Sequence, residues 1–296
     1  MFSASVIICS HNPRPNYLER VLAGLRAQDV PLQRWELVLI DNASSNSLTA
    51  YDLSWHPHGR HVFESQLGLS LARQRGMIEC KSDTLVFVDD DNVLETDFLR
   101  QALIIGSERP RLGVWGGSVI AEFETEPQAS VMRHIGYLGI RTISLSSPNA
   151  PVGAGLCVRS AVAHAYIEQY QQSEIKVTDR KGMELSSYGD VEISLVARKM
   201  GYEIGTFPEL KLYHLIPSER VSEEYLVRVI GETDYSGFLL DYKWHGAVPR
   251  SPLSLYNMAA FVKHVCLSGR TERRISLART MARRAARRAI FGIRTR

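Results

Sequence analysis

The stretch Thr84-Leu-Val-Phe-Val-Asp-Asp-Asp-Asn92 joins an uncharged segment to three adjacent carboxylates. Residues 84–88 are rich in β-branched and aromatic side chains, which predicts a strand that is buried on both faces. Adjacent carboxylates repel one another and are costly to bury, so Asp89, Asp90 and Asp91 need a counter-charge. The stretch therefore predicts a strand whose carboxyl end holds Mn²⁺ or Mg²⁺ together with a phosphorylated ligand. The alternative is a solvated acidic loop before the next helix.

Three predicted strands end in polar loops. Strands over residues 5–9, 35–40 and 84–88 are followed by residues 10–12, 41–42 and 89–92, and helical patterns separate the strands. Strands that alternate with helices predict an α/β fold with a largely parallel sheet and flanking helices. In such sheets the ligand crevice lies beyond the carboxyl ends of the strands, so one crevice can collect all three loops.

The second half of the chain has a weaker pattern. Residues 151–160 are small and apolar, and Gly153 and Gly155 would let a ligand approach the backbone closely; a bulged core strand is the alternative. Residues 171–187 are polar and predict a mobile connection. The His56-Pro-His58 sequence is more typical of a solvent-exposed loop than of a metal site.

The composition is ordinary for a globular protein, with 296 residues, 45% hydrophobic and 23% charged. Its four cysteines form no C-x-x-C pair, so neither a zinc ribbon nor a disulfide framework is indicated. The N-terminus lacks the basic region of a signal peptide, and no apolar stretch is long enough to span a membrane. We therefore expect a cytoplasmic protein.

The positive charge is concentrated at the end of the chain. Residues 270–296 contain ten arginines and one acid, Glu272, which gives about +9 and leaves about −6 for the remainder of a chain of net charge +3. A mildly acidic body is not the surface of a nucleic-acid-binding protein, so no nucleic-acid partner is expected.

The basic segment also has an apolar component. Arginine pairs separated by alanines and mixed with Ile275, Leu277, Phe291 and Ile293 predict a cationic amphipathic helix, which is typical of attachment to anionic lipid. Another amphipathic segment, residues 253–267, precedes it. The alternatives are a helix that packs on the catalytic domain, a disordered tail, or contact with nucleic acid.

The ordered set of motifs resembles the family-2 glycosyltransferases of the GT-A fold from about residue 5 to residue 217. The matching segments are residues 5–12 (opening strand and nucleotide loop), 38–44 (second-strand motif), 68–76 (the G-x-x-x-A-R-N-x-G helix, with Gln74 in place of asparagine), 87–91 (the D-x-D element), 189–190 with 201–202 (the E-D…G-Y segment) and 213–217 (a strand end carrying a histidine).

The resemblance implies a GT-A-like, Rossmann-like enzyme that transfers a sugar from a nucleotide-diphosphate donor with inversion, using Mn²⁺ or Mg²⁺. It implies that Asp91, helped by Asp89 and His214, binds the metal and that Asp190 is the general base, although Gly189 replaces the family's frequent glutamate. The implied donor-binding residues are Ser10, Asn12, Asp41, Asn42, Arg73, Asp89 and Asp90. Because Asp41 can accept a hydrogen bond from an imide N–H, uridine and thymidine donors are favoured. Gly153 and Gly155 are assigned to the acceptor side.

We expect a catalytic domain over residues 1–220, a helical extension over 221–250 and an amphipathic basic segment over 251–296. The expected acceptor is a glycan or a lipid-linked saccharide at the inner face of the plasma membrane. One alternative is a sugar-1-phosphate nucleotidylyltransferase, although residues 10–15 lack the glycine-rich basic loop that it needs. Another is a catalytically silent, membrane-associated scaffold that binds glycans.

Overall fold

The computed structural model describes residues 2–251 and 269–294, which form eight strands and eight α-helices. The strands are β1 (Ala4–Ser10), β2 (Trp35–Asn42), β3 (Gly59–Glu64), β4 (Thr84–Asp89), β5 (Asn92–Leu94), β6 (Leu112–Phe123), β7 (Leu156–Arg159) and β8 (Glu203–Ile216). The helices are α1 (Pro15–Arg26), α2 (Leu69–Glu79), α3 (Phe98–Glu108), α4 (Ala129–Met132), α5 (Ser160–Gln172), α6 (Gly189–Lys199), α7 (Glu223–His245) and α8 (Arg270–Arg294). The predicted amphipathic segment 253–267 lies outside these residues.

The chain divides into two compact units. The first comprises Met1–Glu122, Gly139–Ser173 and Gly189–Ile216, and the second comprises Phe123–Leu138, Glu174–Tyr188 and Pro217–Arg296. Both units are therefore built from separate stretches of sequence. The domain boundaries expected at residues 220 and 250 stay a prediction.

The first unit is organised around an eight-stranded sheet with the order β3-β2-β1-β4-β7-β6-β8-β5. The predicted strands β1 to β4 pair in parallel, with Ser10 opposite Asp41 and Cys9 opposite Asp89 at their carboxyl ends. The later strands join antiparallel, β7 to β4 and to β6, and β5 to β8. The α/β fold class is confirmed, and its parallel part brings the three polar strand ends to one edge.

The core of the first unit follows from the uncharged strands. All residues of β1 and β2 are buried, and apolar side chains of α1 such as Leu18 and Leu25 are fully buried beside them. Gly117 in β6 permits the closest approach in the sheet, because a Cβ there would lie 2.0 Å from the carbonyl oxygen of Leu210. Any side chain at this position would push β6 away from β8.

The His56-Pro-His58 loop is partly buried, so the expectation of a solvent-exposed loop is wrong for His56. Its imidazole is 3% exposed and packs edge-on against Trp35, with ring centroids 4.2 Å apart. The backbone N–H of His58 donates to His56 Nδ1 at 3.2 Å. Burial, reinforced by the neighbouring His58, lowers the pKa of His56 to about 4. The ring is therefore neutral at physiological pH.

The second unit contains the pairing of α7 with α8, which run parallel: Glu223 contacts Arg274, Asp234 contacts Arg279, and Arg283 lies over the Phe238 ring. The hydroxyl of Ser222 caps α7 by accepting from the N–H of Tyr225 at 3.2 Å, as its position before two glutamates predicts. Ile275 of α8 is 1% exposed and packs in a cluster with Leu226 and Ile230 of α7. Its predicted burial in lipid is therefore wrong, because α7 already covers it.

Some arginines of α8 pair with acids of α7, and others are exposed to solvent. Arg274 forms ion pairs with Glu223 at 2.7 Å and Glu224 at 3.1 Å, and Arg279 pairs with Asp234 at 3.4 Å. Arg284 and Arg288, in contrast, are exposed. Among residues 2–251 and 269–294, no helix is both long and apolar enough to cross a bilayer.

Candidate active site

The first two of the three adjacent carboxylates turn toward different partners. Asp89, at the end of β4, lies with Oδ1 3.6 Å from Nη2 of Arg73, whose side chain is 5% exposed. Asp90 accepts a hydrogen bond from the hydroxyl of Ser10, at the end of β1, at 2.5 Å. The divergence reduces the mutual repulsion, and it attaches the β4 loop to both α2 and β1.

The third carboxylate is held against the far end of the sheet. Asp91 Oδ1 accepts from the amide of Asn92 at 2.5 Å, and Oδ2 lies 3.4 Å from Nε2 of His214. The antiparallel pairing of β5 with β8 sets this geometry, because Asn92 stands opposite His214 and the N–H of Leu215 donates to the carbonyl of Asp91 at 2.8 Å. The structure thus brings together two predicted metal ligands that are more than a hundred residues apart in sequence.

The donor set at this point fits a divalent cation. Across the part of the chain that the structure describes, no three His, Cys, Asp or Glu side chains form a metal-binding group. Asp91 and His214 are nevertheless both buried, and the His214 ring nitrogen Nε2 faces Oδ2 of Asp91. One or two protein ligands completed by phosphate oxygens and water are typical of Mg²⁺ sites. Asp89 is turned toward Arg73, so the pair available to a cation is Asp91 with His214.

Residues 11–12 and the loop after β2 form one interlocked turn. Asn12 has a left-handed φ of 49°, its N–H donates to the Ser44 hydroxyl at 3.0 Å, and its side-chain oxygen accepts from the N–H of Ser45 at 2.8 Å. A ring nitrogen of His11, Nδ1, lies 2.8 Å from the carbonyl oxygen of Asn42. These contacts fix the loops that the sequence assigns to the nucleotide.

Asp41 and Asn42 organise the backbone around this turn. The two oxygens of Asp41 accept from the N–H groups of Ser44 at 3.0 Å and Leu48 at 3.1 Å. Asn42 accepts from the N–H of Gly68 at 2.8 Å, which ties β2 to the start of α2. Gly68 has a φ of 142°, a region that only glycine adopts readily, so it defines the direction in which α2 and Arg73 leave the sheet.

The predicted base and the buried arginine meet at one glycine. A Cβ on Gly153 would lie 2.7 Å from Nη2 of Arg73 and 3.5 Å from Oδ2 of Asp190. Asp190 is the second residue of α6, and its Oδ1 accepts from the N–H of Val191 at 2.8 Å. The side chain therefore contributes to the helix start while Oδ2 faces the Gly153 side.

Gly155 has different surroundings. Its φ of 65° is left-handed, and a Cβ there would lie 2.7 Å from Leu212 and 2.9 Å from Phe98. Both neighbours are core side chains, so the structure gives Gly155 a packing role. Its assignment to the acceptor side stays a prediction.

A buried thiol lies behind the site and takes no part in its charge balance. Burial raises the pKa of Cys9 far above its usual range; the charge of Arg73 opposes this, and that of Asp89 adds to it. Cys9 is therefore a protonated core residue and not a nucleophile.

Two contributors were not assigned a role from sequence. Asn92 donates to Asp91, and Gly68 sets the entry to α2. The signal for Asn92 was its position directly after the carboxylates, and the signal for Gly68 was its position before a helical pattern.

Comparisons with known proteins bear on the family and the fold. The model of the family described as Glycosyl transferase family 2 matches residues 5–162. A search of curated proteins gave no match.

Solved structures share the architecture at low identity. S. aureus TarS 1-349 is 14% identical with a TM-score of 0.51, covering 98% of this chain and 92% of that one. The same fragment in complex with UDP-GlcNAc gives 14%, a TM-score of 0.52 and coverages of 99% and 92%. GalNAc-T7 with UDP, GalNAc and Mn²⁺ is 15% identical with a TM-score of 0.53, covering 80% of this chain and 50% of that one. The predicted GT-A-like fold is confirmed.

Proposed function

The chain belongs to glycosyl transferase family 2 and is a glycosyltransferase, and from this premise we propose that it transfers a sugar with inversion from a uridine- or thymidine-diphosphate donor to a hydroxyl group of a glycan or lipid-linked acceptor. The observation that carries the proposal is the 3.4 Å approach of His214 to Asp91, which directly follows the Asp90 carboxylate bonded to Ser10 of β1. TarS and GalNAc-T7, which share the fold, have been solved with UDP-GlcNAc and with UDP and Mn²⁺ respectively.

Asp91 and His214 would hold Mn²⁺ or Mg²⁺. The cation would stabilise the negative charge that gathers on the diphosphate as the sugar leaves. Arg73 lies against Asp89 and Gly153, where its fixed positive charge would favour the same phosphate groups. The hydrogen bond between Ser10 and Asp90 ties the loop after β1 to the loop after β4, and both loops would contact the nucleotide.

Asp190 would act as the general base. The acceptor hydroxyl must lose its proton as its oxygen attacks the sugar carbon, and a carboxylate beside the crevice can take that proton. Support comes from Gly153, whose missing side chain leaves room between Arg73 and Asp190.

Asp190→Asn tests the base. We expect sugar transfer to fall by about 10²- to 10⁴-fold while UDP affinity stays within about twofold, because asparagine can still accept from the N–H of Val191 but cannot take up the proton. Asp97→Asn, at the start of α3, is the matched control and should be active. Near-normal transfer by Asp190→Asn would remove it from the mechanism.

The donor is identified by a screen of uridine-, thymidine- and guanosine-diphosphate sugars for Mn²⁺-dependent hydrolysis. Asp41 supports the first two classes, because each of its buried oxygens has a second lone pair beyond its backbone bond. Turnover limited to guanosine donors would overturn the nucleotide assignment. No hydrolysis or transfer with any donor would point to a catalytically silent protein.

We also propose that the acceptor lies at the inner, cytoplasmic face of the plasma membrane and that α8 attaches the enzyme peripherally there. The outward residues of α8 follow helical spacing and combine cations with apolar side chains: Arg270, Arg273, Leu277, Met281, Arg284, Arg288 and Phe291. The single acid of α8, Glu272, contacts His134 at 2.9 Å. Four arginines at about 1 kcal/mol each give about 4 kcal/mol of attraction to anionic lipid.

Flotation with phosphatidylglycerol-containing vesicles tests this attachment. Arg284→Gln with Arg288→Gln removes outward charge and should abolish most binding at low salt, since the attraction is screened within a Debye length. Arg274→Gln with Arg279→Gln removes the same charge from the side that pairs with α7 and should bind nearly as well as the wild type. Equal flotation of the two variants would overturn the proposed lipid surface.

A further inference from the structure

The segment that precedes Asp190 lies along α7 in the second unit. Three side chains of α7, spaced four residues apart, hydrogen-bond to backbone groups of this segment that are two residues apart. Arg228 donates to the carbonyl of Met183, Glu232 accepts from the N–H of Leu185, and Ser236 accepts from the N–H of Ser187 at 3.3 Å. We call residues 183–188 the strap. Its predicted mobility does not agree with these contacts.

The spacing of these bonds has a geometric reason. Met183 lies in a turn, so the comparison applies to the contacts at Leu185 and Ser187. Two residues of extended chain advance roughly 6.6 Å, and four residues of an α-helix advance about 6 Å. The repeats nearly coincide and run in the same direction, so each turn of α7 offers one side chain to the strap. A strap displaced by one residue would present carbonyls where N–H groups are needed.

We call these three contacts between α7 and the strap the ladder, and Glu232 makes the middle one. Its Oε1 accepts from Nε of Arg228 at 3.3 Å, while Oε2 takes the N–H of Leu185. The hydroxyl of Ser236 donates to the carbonyl of Glu232 at 3.0 Å, which orients its oxygen toward Ser187. Hydrogen bonds within α7 therefore orient the side chains of Glu232 and Ser236 toward the strap.

The strap ends in an unusual backbone conformation. Tyr188 has a φ of 88°, which is uncommon and costly for an aromatic residue. Its ring lies against Gly237 of α7, where a Cβ would lie 3.2 Å from two ring carbons and from the hydroxyl oxygen. Glycine at position 237 thus allows the Tyr188 ring to lie on α7. The ladder holds Tyr188 in a backbone conformation that tyrosine alone disfavours.

We propose that α7 positions the general base through the strap, and that Gly237 is the positioning residue that sets the conformation of Tyr188. Tyr188 is followed directly by Gly189 and Asp190, the first two residues of α6, so the backbone enters that helix from a conformation fixed by α7. The inference rests on the proposed function, because it takes Asp190 to be the base.

Gly237→Ala and Gly231→Ala form a matched pair. Both replace a glycine inside α7 and should raise its helix propensity. A Cβ at 231 would meet Ala278 at an ordinary 3.4 Å, whereas one at 237 forces the Tyr188 ring to move. We expect Gly237→Ala to lower the turnover of the donor selected by the screen by about tenfold, since small displacements of a catalytic group are costly. Gly231→Ala should turn over like the wild type, and both should bind UDP within about twofold of it.

Combination with Asp190→Asn separates positioning from a general structural effect. In donor hydrolysis water replaces the acceptor, so the base is still required. If Gly237 acts through Asp190, adding Gly237→Ala to Asp190→Asn causes no further loss of turnover. Wild-type turnover of Gly237→Ala, or losses that multiply in the double variant, would overturn the positioning role. Wild-type turnover of Asp190→Asn would instead overturn the base and the inference with it.

Discussion

At the amino ends of the parallel strands, Glu36 is fully buried, and its oxygens accept from Ser5 at 2.6 Å, the N–H of Lys81 at 2.7 Å and Arg60 at 2.6 Å. At the carboxyl ends, Asp89 keeps 32% of its side chain exposed and lies 3.6 Å from its cation. One end of the sheet has a carboxylate whose charge is completely balanced. The other end has three adjacent carboxylates, and the one nearest a cation, Asp89, stays partly exposed.

From this difference we infer that the amino ends of the strands, with Glu36, contribute to stability, and we assign the function to the carboxyl ends. Burial alone would raise the pKa of Glu36, but hydrogen bonds from Ser5 and Arg60 outweigh it and lower the pKa below its usual value. The native state is thus adapted to the ionised carboxylate. The Asp89–Asp91 cluster instead places three carboxylates side by side at the strand end, the place to which we assign a cation and a phosphorylated ligand.

The largest expected effect comes from breaking the balanced end. Arg60→Met leaves Glu36 buried without its cation and should lower the free energy of unfolding by about 3 kcal/mol, measured with urea. Arg75→Met is the control, because Arg75 pairs with Glu79 at 2.8 Å on the surface and should cost less than about 1 kcal/mol. Equal losses would mean that Glu36 does not need its partner.

A smaller effect should follow from acid at the same end, where His56 packs on Trp35. Folding holds the pKa of His56 at about 4, so its contribution is complete at neutral pH and is lost as the pH falls from the unfolded-state value toward 4. Between about pH 7.5 and about pH 5 the free energy of unfolding should fall by about 2 kcal/mol from this group. His56→Phe keeps an aromatic ring and should lack this part of the pH dependence; an unchanged slope would contradict the assignment.

The smallest effect on stability is expected at the carboxyl end. Asp91→Asn should change the free energy of unfolding by less than about 0.5 kcal/mol, since it also relieves repulsion. UDP affinity in the presence of Mn²⁺ should nevertheless fall by at least about tenfold, measured by calorimetry. Asp83→Asn, just before the opposite end of β4, is the control for binding and should leave UDP affinity within about twofold of the wild type. Unchanged UDP affinity in Asp91→Asn would remove Asp91 from the metal site.

Sequence reasoning predicted the parallel strands and their polar ends because both depend on local patterns. The run before Asp89 is uncharged, and the loops after Cys9 and Ile40 are polar, so adjacency in the sheet follows from the topology. The approach of His214 to Asp91 does not follow from spacing, because it depends on the register of two strands more than a hundred residues apart. Only the resemblance to a family indicated it.

Other features were beyond the sequence for similar reasons. The basic helix was predicted, but the division of its arginines depends on acids of another helix, such as Glu223 and Asp234. The burial of His56 depends on a loop that returns to Trp35. The strap had no pattern of its own, because its order comes from side chains of α7.

The pairing of β5 with β8 also has a consequence in time. During synthesis the ribosome releases residues 89–91 long before His214, so the carboxylate cluster exists first without the strand that completes it. Such long-range pairings form slowly, because the chain between them must be ordered first. Cation binding by the proposed Asp91–His214 pair would therefore report that nearly the whole first unit has folded, because a nascent chain that ends before β8 has only the acidic half.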